Sequence, residues 1–173
     1  MTMTYRDAGP DDASLLPDLF GTSFTDTFGH LYAPEDLASF LAEFSEDAWR
    51  EELAQPGLKL RLAKEDGVAA GFAKVGAPSL PVDIARPTIE LRQLYILKPW
   101  HGRGVAAALM GWAIEEGRAR GAEDMILSVY VDNHRARRFY ERYGFEVIGD
   151  YAFMVGNHAD EDLIMRAPLK DIG

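Results

Sequence analysis

The sequence contains no cysteine, and this absence excludes several kinds of chemistry at once. Disulfide bonds, thiolate nucleophiles and cysteine-ligated zinc sites all require that residue. No apolar segment approaches the ~18 consecutive residues that a membrane-spanning helix needs. The first twenty residues carry acids where a signal peptide carries bases. We therefore expect a soluble, cytoplasmic protein without a membrane partner.

Positive charge is scarce in the first third of the chain. Residues 7–52 contain twelve acidic residues and one basic residue, Arg50, whereas the whole chain of 173 residues has a formal charge of −10. Nucleic acid is an unfavourable partner for such a protein, because phosphates need cationic side chains. The acidic segment is either a solvated surface that maintains solubility or a region that attracts a cationic small molecule.

The order of hydrophobic patterns predicts one α/β domain with a mixed sheet over residues 1–173. A composition of 47% hydrophobic and 27% charged residues is that of an ordinary globular protein. Segment 77–87, which contains three prolines, is predicted to be a surface connection, and 156–160 a turn. The expected elements are strand 2–6; helices 11–28 (with a break near Pro17 or Gly21), 34–44 and 46–55; strands 58–65, 68–76 and 88–97; helix 104–120; strand 125–131; helix 134–143; and strands 145–155 and 161–169.

A glycine-rich turn links a predicted strand to a predicted helix. Small residues let a ligand approach the backbone, and the free amides of a first helical turn attract anions such as phosphate. A Walker A site is excluded because no Lys-Ser or Lys-Thr pair follows, and a dinucleotide fingerprint because Ala107 replaces its third glycine. Taken alone, the glycines fit plain turn geometry equally well. The turn consists of His101, Gly102, Arg103, Gly104, Val105 and Ala106.

Two segments together closely resemble the acetyl-CoA-binding core of the GNAT acyltransferase superfamily. The first, ELRQLYILKPWHGRGVAAALM, resembles a strand followed by Gln/Arg-x-x-Gly-x-Gly/Ala, with His101 in the Gln/Arg place and Gly104 matching. The second, SVYVDNHRARRFYERYGF, resembles Asn-x-x-Ala-x-x-x-Tyr-x-x-x-Gly-Phe through Asn133 and Tyr140. The resemblance spans about residues 90–145. It implies the GNAT fold, a mostly antiparallel twisted sheet flanked by helices, and an N-acetyltransferase that uses acetyl-CoA as co-substrate.

The resemblance implies how acetyl-CoA is bound. The main-chain amides of residues 102–106 are expected to hold the diphosphate, with His101 in the same turn. The amides of Leu94 and Ile96 are expected to face the thioester carbonyl and the pantetheine arm, and Asn133 to hydrogen-bond that arm. Arginine on a helix is more often a solvated surface residue than a phosphate ligand. Four arginines are nevertheless candidate partners of the nucleotide phosphates: Arg103, Arg135, Arg137 and Arg138.

The resemblance also implies catalytic roles, since amide formation needs a neutral amine, an oxyanion site and a proton for the leaving thiolate. Glu90 stands where GNAT enzymes that use a glutamate often carry the general base. The amide of Leu94 is expected to face the thioester carbonyl, and Tyr140 to act as general acid. The alternatives are a glutamate at the sheet rim and a tyrosine of the core. Ser128 has no acid–base neighbour in sequence, so we expect direct transfer.

The first helices are expected to select the acceptor. In the implied layout, helices over about 11–55 lie on the acceptor side, about 88–145 forms the acetyl-CoA core, and about 145–169 supplies C-terminal strands. Segment TSFTDTFGHLYAPEDLASFL resembles bacterial relatives of polyamine acetyltransferases, which together with the acidic segment favours a cationic amine or polyamine. The alternatives are a protein N-terminal or lysine acetyltransferase and a non-catalytic acyl-CoA sensor. Relatives imply a homodimer. Aromatic residues that could line an amine pocket are Phe24, Phe28, Tyr32 and Trp49.

The histidines are scattered and show no metal-ligand spacing. Asn157, His158, Asp160 and Asp162 lie near a predicted turn, but they lack the glycine-centred calcium-loop pattern. We therefore expect a polar hairpin there, and no metal cofactor.

Overall fold

A computed structural model of the protein describes residues 2–169. The strands form one sheet in the order β1-β2-β3-β4-β5-β7-β6; β4 and β5 run parallel, and the other neighbouring pairs are antiparallel. The predicted fold class is thereby confirmed. None of the helices in this part of the chain is long and apolar enough to cross a membrane. The elements are β1 (Met3–Asp7), α1 (Leu16–Phe28), α2 (Pro34–Ala42), α3 (Glu46–Leu53), β2 (Lys59–Glu65), β3 (Val68–Gly76), β4 (Thr88–Ile96), α4 (Val105–Ala119), β5 (Asp124–Tyr130), α5 (His134–Glu141), β6 (Glu146–Val155) and β7 (His158–Pro168).

The first three helices begin at local start signals. Ser45 caps α3, because its hydroxyl accepts a 3.2 Å hydrogen bond from the amide three residues ahead. Pro34 is the first residue of α2, where a missing amide hydrogen costs nothing. The predicted break in helix 11–28 lies just before Pro17, because residues 10–12 form a 3-10 turn and α1 begins at Leu16, whereas α1 continues unbroken through Gly21.

The β6–β7 hairpin is tighter than the sequence predicts. Only Gly156 and Asn157 lie between the two strands, so the expected turn over 156–160 is wrong in length. His158 to Asp160 instead continue β7 and pair with the end of β6. The Asn157 amide donates a 2.9 Å hydrogen bond to the Asp36 carboxylate, which attaches the hairpin tip to α2.

The sheet buries one apolar cluster on each face. On one face, α4 and α5 pack through residues that include Leu109 and Tyr140. On the other, α1, α2 and α3 pack through residues that include Phe20 and Trp49. Side chains of β4 contribute to both clusters, so this strand separates the two layers of helices.

Strand β4 meets β5 only at its beginning. The parallel pairing covers Thr88–Glu90, and in the described chain no strand pairs with that edge of β4 afterwards. On its other edge β4 stays paired with β3 as far as Ile96, with Arg92 as an extra, bulged residue. Strand β5 pairs instead with β7 as far as Tyr130. The two strands therefore diverge, and β4 presents an open edge.

Candidate active site

A cavity of about 680 Å³ opens where β4 and β5 diverge. Its floor is β4 from Leu91 to Ile96. Its walls differ in character, and we name them by the residues that line them. The turn half is lined by Trp100, His101, Gly102, Gly104, Val105, Ala106, Ala107, Asn133, Arg135, Ala136, Arg138, Phe139, Tyr140 and Arg142; the aromatic half is lined by Phe20, Ser23, Phe24, Thr27, Phe28, Tyr32, Phe40, Phe44, Tyr130, Phe153 and Asp162.

The glycine-rich turn leaves its amides free. Gly102 and Gly104 have φ angles of 74° and 82°, a left-handed conformation that side chains disfavour. The first main-chain hydrogen bond of α4 runs from Ala108 to the Gly104 carbonyl, over 3.1 Å. Among the described residues, the amides of 102–106 donate no main-chain hydrogen bond. The turn thus presents several donors at the positive end of a 15-residue helix, which suits a phosphate group.

His101 ties this turn to its neighbours. Its Nε2 lies 2.7 Å from the Ile96 carbonyl oxygen, and its Nδ1 lies 3.0 Å from Nη1 of Arg135. A carbonyl only accepts and a guanidinium only donates, so these two contacts fit a ring that donates from Nε2 and accepts at Nδ1. The side chain therefore positions the turn against β4 and α5, while the amides beside it stay available.

Two of the arginines expected to meet phosphate have partners elsewhere. Arg103 pairs with Glu65 of β2 through a 2.5 Å contact, and its side chain does not line the cavity. Arg137 donates a 2.9 Å hydrogen bond to the Val131 carbonyl and also lies outside the lining. Both residues therefore fix local structure around the turn half.

Three guanidinium groups of α5 and its C-terminal end do line the turn half. Arg135 and Arg138 are among the expected residues, whereas the sequence analysis missed Arg142. Arg142 lies over the ring of Phe139, 5.7 Å from its centroid. The spacing of 135, 138 and 142 by three and four residues places them on one helix face, a pattern that identifies Arg142.

The open edge of β4 carries the two amides expected to meet a thioester and pantetheine. The Leu97 amide donates a 2.8 Å hydrogen bond to Ala70 at the β3 edge. Because amides alternate between the two edges of a strand, those of Leu94 and Ile96 point to the opposite, open edge. The His101 contact with the Ile96 carbonyl lies on that same edge. Two amides are thus directed into the cavity.

Asn133 and Tyr140 lie on the same wall. Asn133 is the N-cap of α5, and its Oδ1 accepts a 3.3 Å hydrogen bond from the Ala136 amide, which leaves its NH₂ group for a ligand. Tyr140 is 9% exposed, and no described residue hydrogen-bonds its hydroxyl. Burial raises the pKa of Tyr140 to about 12. The phenol is therefore protonated at neutral pH and can donate a proton inside the cavity.

Glu90 lies in a different environment from the one expected of it. The side chain is buried but does not line the cavity. Its Oε1 accepts hydrogen bonds of 2.7 and 3.1 Å from the amides of Ser79 and Leu80, and its Oε2 accepts one of 2.9 Å from the Ser79 hydroxyl. The carboxylate therefore anchors the 77–87 connection, and its lone pairs face that loop.

Aromatic side chains form most of the aromatic half. Phe24, Phe28 and Tyr32, three of the four expected residues, line it. The fourth, Trp49, is 1% exposed and lies in the core, with Nζ of Lys74 5.0 Å from its ring centroid. Further rings from α1, α2 and β6 complete an apolar pocket next to the β4 floor.

The acidic segment of the sequence does not reach this pocket. None of the twelve acids of residues 7–52, all of them described, lines the cavity. The carboxylate that does line it, Asp162 of β7, comes from the other end of the chain. Asp160 lies two residues earlier on the same face, and both of its carboxylate oxygens have partners. Oδ2 accepts a hydrogen bond from the Tyr32 hydroxyl, and Oδ1 lies 3.2 Å from Nε2 of His158.

Asp162 was missed as a site residue, although the sequence carries a signal for it. In β7 the buried positions alternate, and Asp160, Asp162 and Ile164 share the inward face. Acids at inward positions of an apolar strand are rare unless they have a partner or a function. Among the described residues, no group of three or more His, Asp or Glu is arranged as a metal site.

Comparison with known proteins identifies this architecture. Residues 22–145 match the acetyltransferase (GNAT) family. The chain is 30% identical over 159 residues to an uncharacterized N-acetyltransferase in the pepI 3' region of Lactobacillus delbrueckii subsp. lactis, covering 89% of this chain and 92% of that protein. It is 35% identical over 127 residues to the L-amino acid N-acetyltransferase AaaT of Escherichia coli K12, covering 70% and 76%.

Solved structures share the fold. The PaiA N-acetyltransferase of Thermoplasma acidophilum, in complex with coenzyme A, superposes with a TM-score of 0.79 at 19% identity over 97% of this chain and 99% of that one. YncA of Salmonella typhimurium, solved with its cofactor acetyl-CoA, gives 0.68 at 22% identity over 98% and 95%. The seven-stranded sheet, the divergent strands and the family match together show that this chain belongs to the acetyltransferase (GNAT) family and is an N-acetyltransferase.

Proposed function

We propose that the protein transfers an acetyl group from acetyl-CoA directly to the primary amine of a small cationic molecule. The observation that carries this proposal is the continuity of one cavity, in which free amides at the start of α4 adjoin the open edge of β4. The first set of donors suits a diphosphate and the second an extended amide-containing arm. In this proposal a molecule with both parts, ending in a thioester, lies along the cavity.

The turn half binds the co-substrate in this scheme. The amides of 102–106 hold the diphosphate, and Arg138 and Arg142 add positive charge at the same wall. The Asn133 NH₂ group and the Ile96 amide hydrogen-bond the pantetheine arm. These contacts direct the thioester towards Tyr140, where the cavity passes into its aromatic half.

Chemistry takes place beside the β4 floor. The Leu94 amide donates to the carbonyl oxygen, which becomes an oxyanion when the amine attacks. Tyr140, whose phenol stays protonated, gives a proton to the leaving sulfur. Glu90 supports this arrangement from outside the cavity by fixing the 77–87 connection at the back of β4.

Several classes of acceptor share this chemistry. The cationic amine and the polyamine expected from the sequence, the amino acid named for AaaT and a peptide N-terminus all present a primary amine. A cavity lined by rings, with space for one compact molecule, favours a small molecule over a peptide.

The test is in two stages. Millimolar acetyl-CoA should raise the melting temperature by several degrees, because it binds only the folded chain. Thiol release should then be measured with a panel of monoamines, polyamines, amino acids and a peptide. Release with small amines supports the proposal, and release with the peptide alone assigns a protein substrate. A melting shift without release for any acceptor identifies a sensor, and no melting shift contradicts acetyl-CoA binding altogether.

A further inference from the structure

Asp162 is the cavity residue that the roles above leave unused. It is 7% exposed and lines the aromatic half, yet no described residue donates a hydrogen bond to it or forms an ion pair with it. Gln93 lies on the same cavity floor, and its buried Oε1 likewise accepts no hydrogen bond from the described residues. A buried acceptor without a donor is costly to the fold. The unpaired Asp162 carboxylate opens into the cavity beside the buried, unpaired Gln93 oxygen, and together they indicate a ligand that donates hydrogen bonds.

The groups around Asp162 are mostly neutral or negative. Asp160 lies two residues before it on β7, Tyr130 lies opposite it on β5 and Tyr151 opposite it on β6, and Tyr32 approaches from the segment after α1. Burial raises the pKa of Tyr95 on β4, and the nearby Tyr140 and Asp162 raise it further. Burial, and then the charge of Asp160, raise the pKa of Asp162 to about 7. The cations that line the cavity without pairing with Asp162 are Arg92, Arg135, Arg138 and Arg142.

We propose that Asp162 binds the ammonium group of the acceptor and takes its first proton, and that the acceptor is a primary amine carried on one apolar body. This inference rests on the proposed function, because a base of this kind acts only if an amine is acetylated here. It assigns to β7 the task that the resemblance gave to Glu90 on β4.

The step balances in atoms and charge. The acceptor ammonium gives one proton to the Asp162 carboxylate, and the neutral nitrogen forms a C–N bond with the thioester carbonyl carbon. The C–S bond breaks, and the sulfur takes the proton of the Tyr140 hydroxyl. The nitrogen loses its second proton, which returns to the Tyr140 oxygen, and Asp162 releases the first to solvent. The products are an amide, free coenzyme A thiol and one proton.

The walls define the rest of the acceptor. Six phenylalanines, Phe20, Phe24, Phe28, Phe40, Phe44 and Phe153, line the aromatic half. Rings and an alkyl or aryl body pack well, and rings also attract an ammonium group. A polyamine would bury further ammonium groups, each of which needs its own carboxylate, and Asp162 is the one acid among the described lining residues. One charge on an apolar body therefore fits this pocket.

The decisive experiment is a pH profile with 2-phenylethylamine as the probe. In the unmodified enzyme, kcat/KM should rise as Asp162 ionises and level off above about pH 7.5, far below the amine's own pKa of about 10. Asp162→Asn keeps the shape of the side chain but cannot take a proton. At pH 7.5 we expect a loss of about 100-fold or more, and a kcat/KM that keeps rising to pH 9 as free amine accumulates.

Glu161→Gln is the matched control, because Glu161 is the exposed neighbour on the same strand. It should keep both the rate and the plateau. Asp162→Glu should restore part of the rate with the plateau, which a packing role would not produce. Acetyl-CoA should raise the melting temperature of all three variants as it does that of the unmodified protein, which shows that they fold and bind the co-substrate.

Outcomes separate the two proposals. If acetyl-CoA binds and thiol is released, but Asp162→Asn keeps the plateau near neutral pH, Asp162 is not the base and this inference fails alone. If Glu90→Gln removes the plateau instead, the base lies on β4. If butane-1,4-diamine exceeds 2-phenylethylamine in kcat/KM, the apolar-body assignment is overturned. We expect the aromatic amine to lead by about tenfold or more, since burying an extra charge costs more than that.

Discussion

The two halves of the cavity recognise ligands with different parts of the polypeptide. The turn half offers mainly main-chain amides, to which its side chains add positive charge, the Asn133 amide group and the Tyr140 hydroxyl. The aromatic half offers side chains throughout, six phenylalanines and one carboxylate. Main-chain recognition survives most substitutions as long as the glycine conformations persist, whereas side-chain recognition changes with each residue. We therefore expect the co-substrate to be held mainly by backbone geometry and the acceptor to be selected by side-chain identity.

The sharpest break between the halves is expected at Tyr140, where they meet. Tyr140→Phe removes the proton donor and keeps the ring, so kcat should fall about 100-fold, at the low end of general acid catalysis, while the KM for acetyl-CoA stays within about twofold. Steady-state kinetics measure both. Tyr143→Phe is the control, because it removes a hydroxyl group from a ring that does not line the cavity. Equal losses in kcat and in acetyl-CoA affinity at Tyr140 would show that its role is packing.

A second test concerns the backbone of the turn half. Gly104→Ala places a side chain at φ 82°, which costs roughly 1–2 kcal/mol and disturbs the amides around it. We expect the KM for acetyl-CoA to rise about tenfold, with the KM for the amine little changed. Gly111→Ala, in the middle of α4 where a Cβ meets no atom within 4 Å, should leave both values unchanged. A selective loss of amine affinity at Gly104 would contradict the division into halves.

A third test concerns the stability cost of the aromatic half. Since burial raises the pKa of Asp162 to about 7, the stability linked to its protonated form is full below the unfolded pKa of about 4 and is lost as pH rises through about 7. Asp162→Asn avoids this loss. We expect the melting temperature of Asp162→Asn, measured relative to that of the unmodified protein, to increase between pH 5 and pH 8.5. The expected increase in this difference is about 3–8 °C. A constant difference between the two proteins across this range would mean that Asp162 titrates normally.

The smallest expected effect is that of the acidic segment 7–52, which lies outside the cavity and can act only at long range. Raising salt from about 0.05 to about 0.5 M screens such a field. The apparent KM for butane-1,4-diamine should rise about twofold more than that for 2-phenylethylamine, because a dication responds more strongly to the field. Steady-state kinetics at fixed pH measure the ratio of the two KM values. If this ratio does not change with salt, the acidic segment is only a solvated surface.

Local signals predicted much of the fold and the turn half, because neighbours in sequence form them. The two residues between the predicted strands 58–65 and 68–76, Asp66 and Gly67, adopt φ angles of 50° and 84°, as a two-residue hairpin requires. Ser45 caps the helix predicted to begin at residue 46. Asn133 and Tyr140, which the motif places seven residues apart, line the same wall. In each case the interacting groups lie within one element or one turn, where spacing alone fixes the geometry.

The aromatic half could not be predicted in the same way. Asp162 faces the cavity because β7 inserts between β5 and β6, a pairing that no local pattern specifies. The Tyr32 hydroxyl meets Asp160 across 128 positions of sequence. The resemblance implied a catalytic place for Glu90, but its partners Ser79 and Leu80 belong to an irregular loop whose path is set by tertiary contacts. Which carboxylate faces the cavity is therefore a property of the folded chain.

The tip of the β6–β7 hairpin limits how the acceptor pocket can change. At Gly156, with φ 58°, a Cβ atom would lie 2.6 Å from a carboxylate oxygen of Asp36 and 2.7 Å from its Cα. The hairpin and α2 therefore fit together without spare volume, and a longer turn there would displace the helix that carries part of the aromatic wall. Redesign of the enzyme for new amines is best confined to exchanging rings such as Phe28 and Phe153, with the length of this loop held constant.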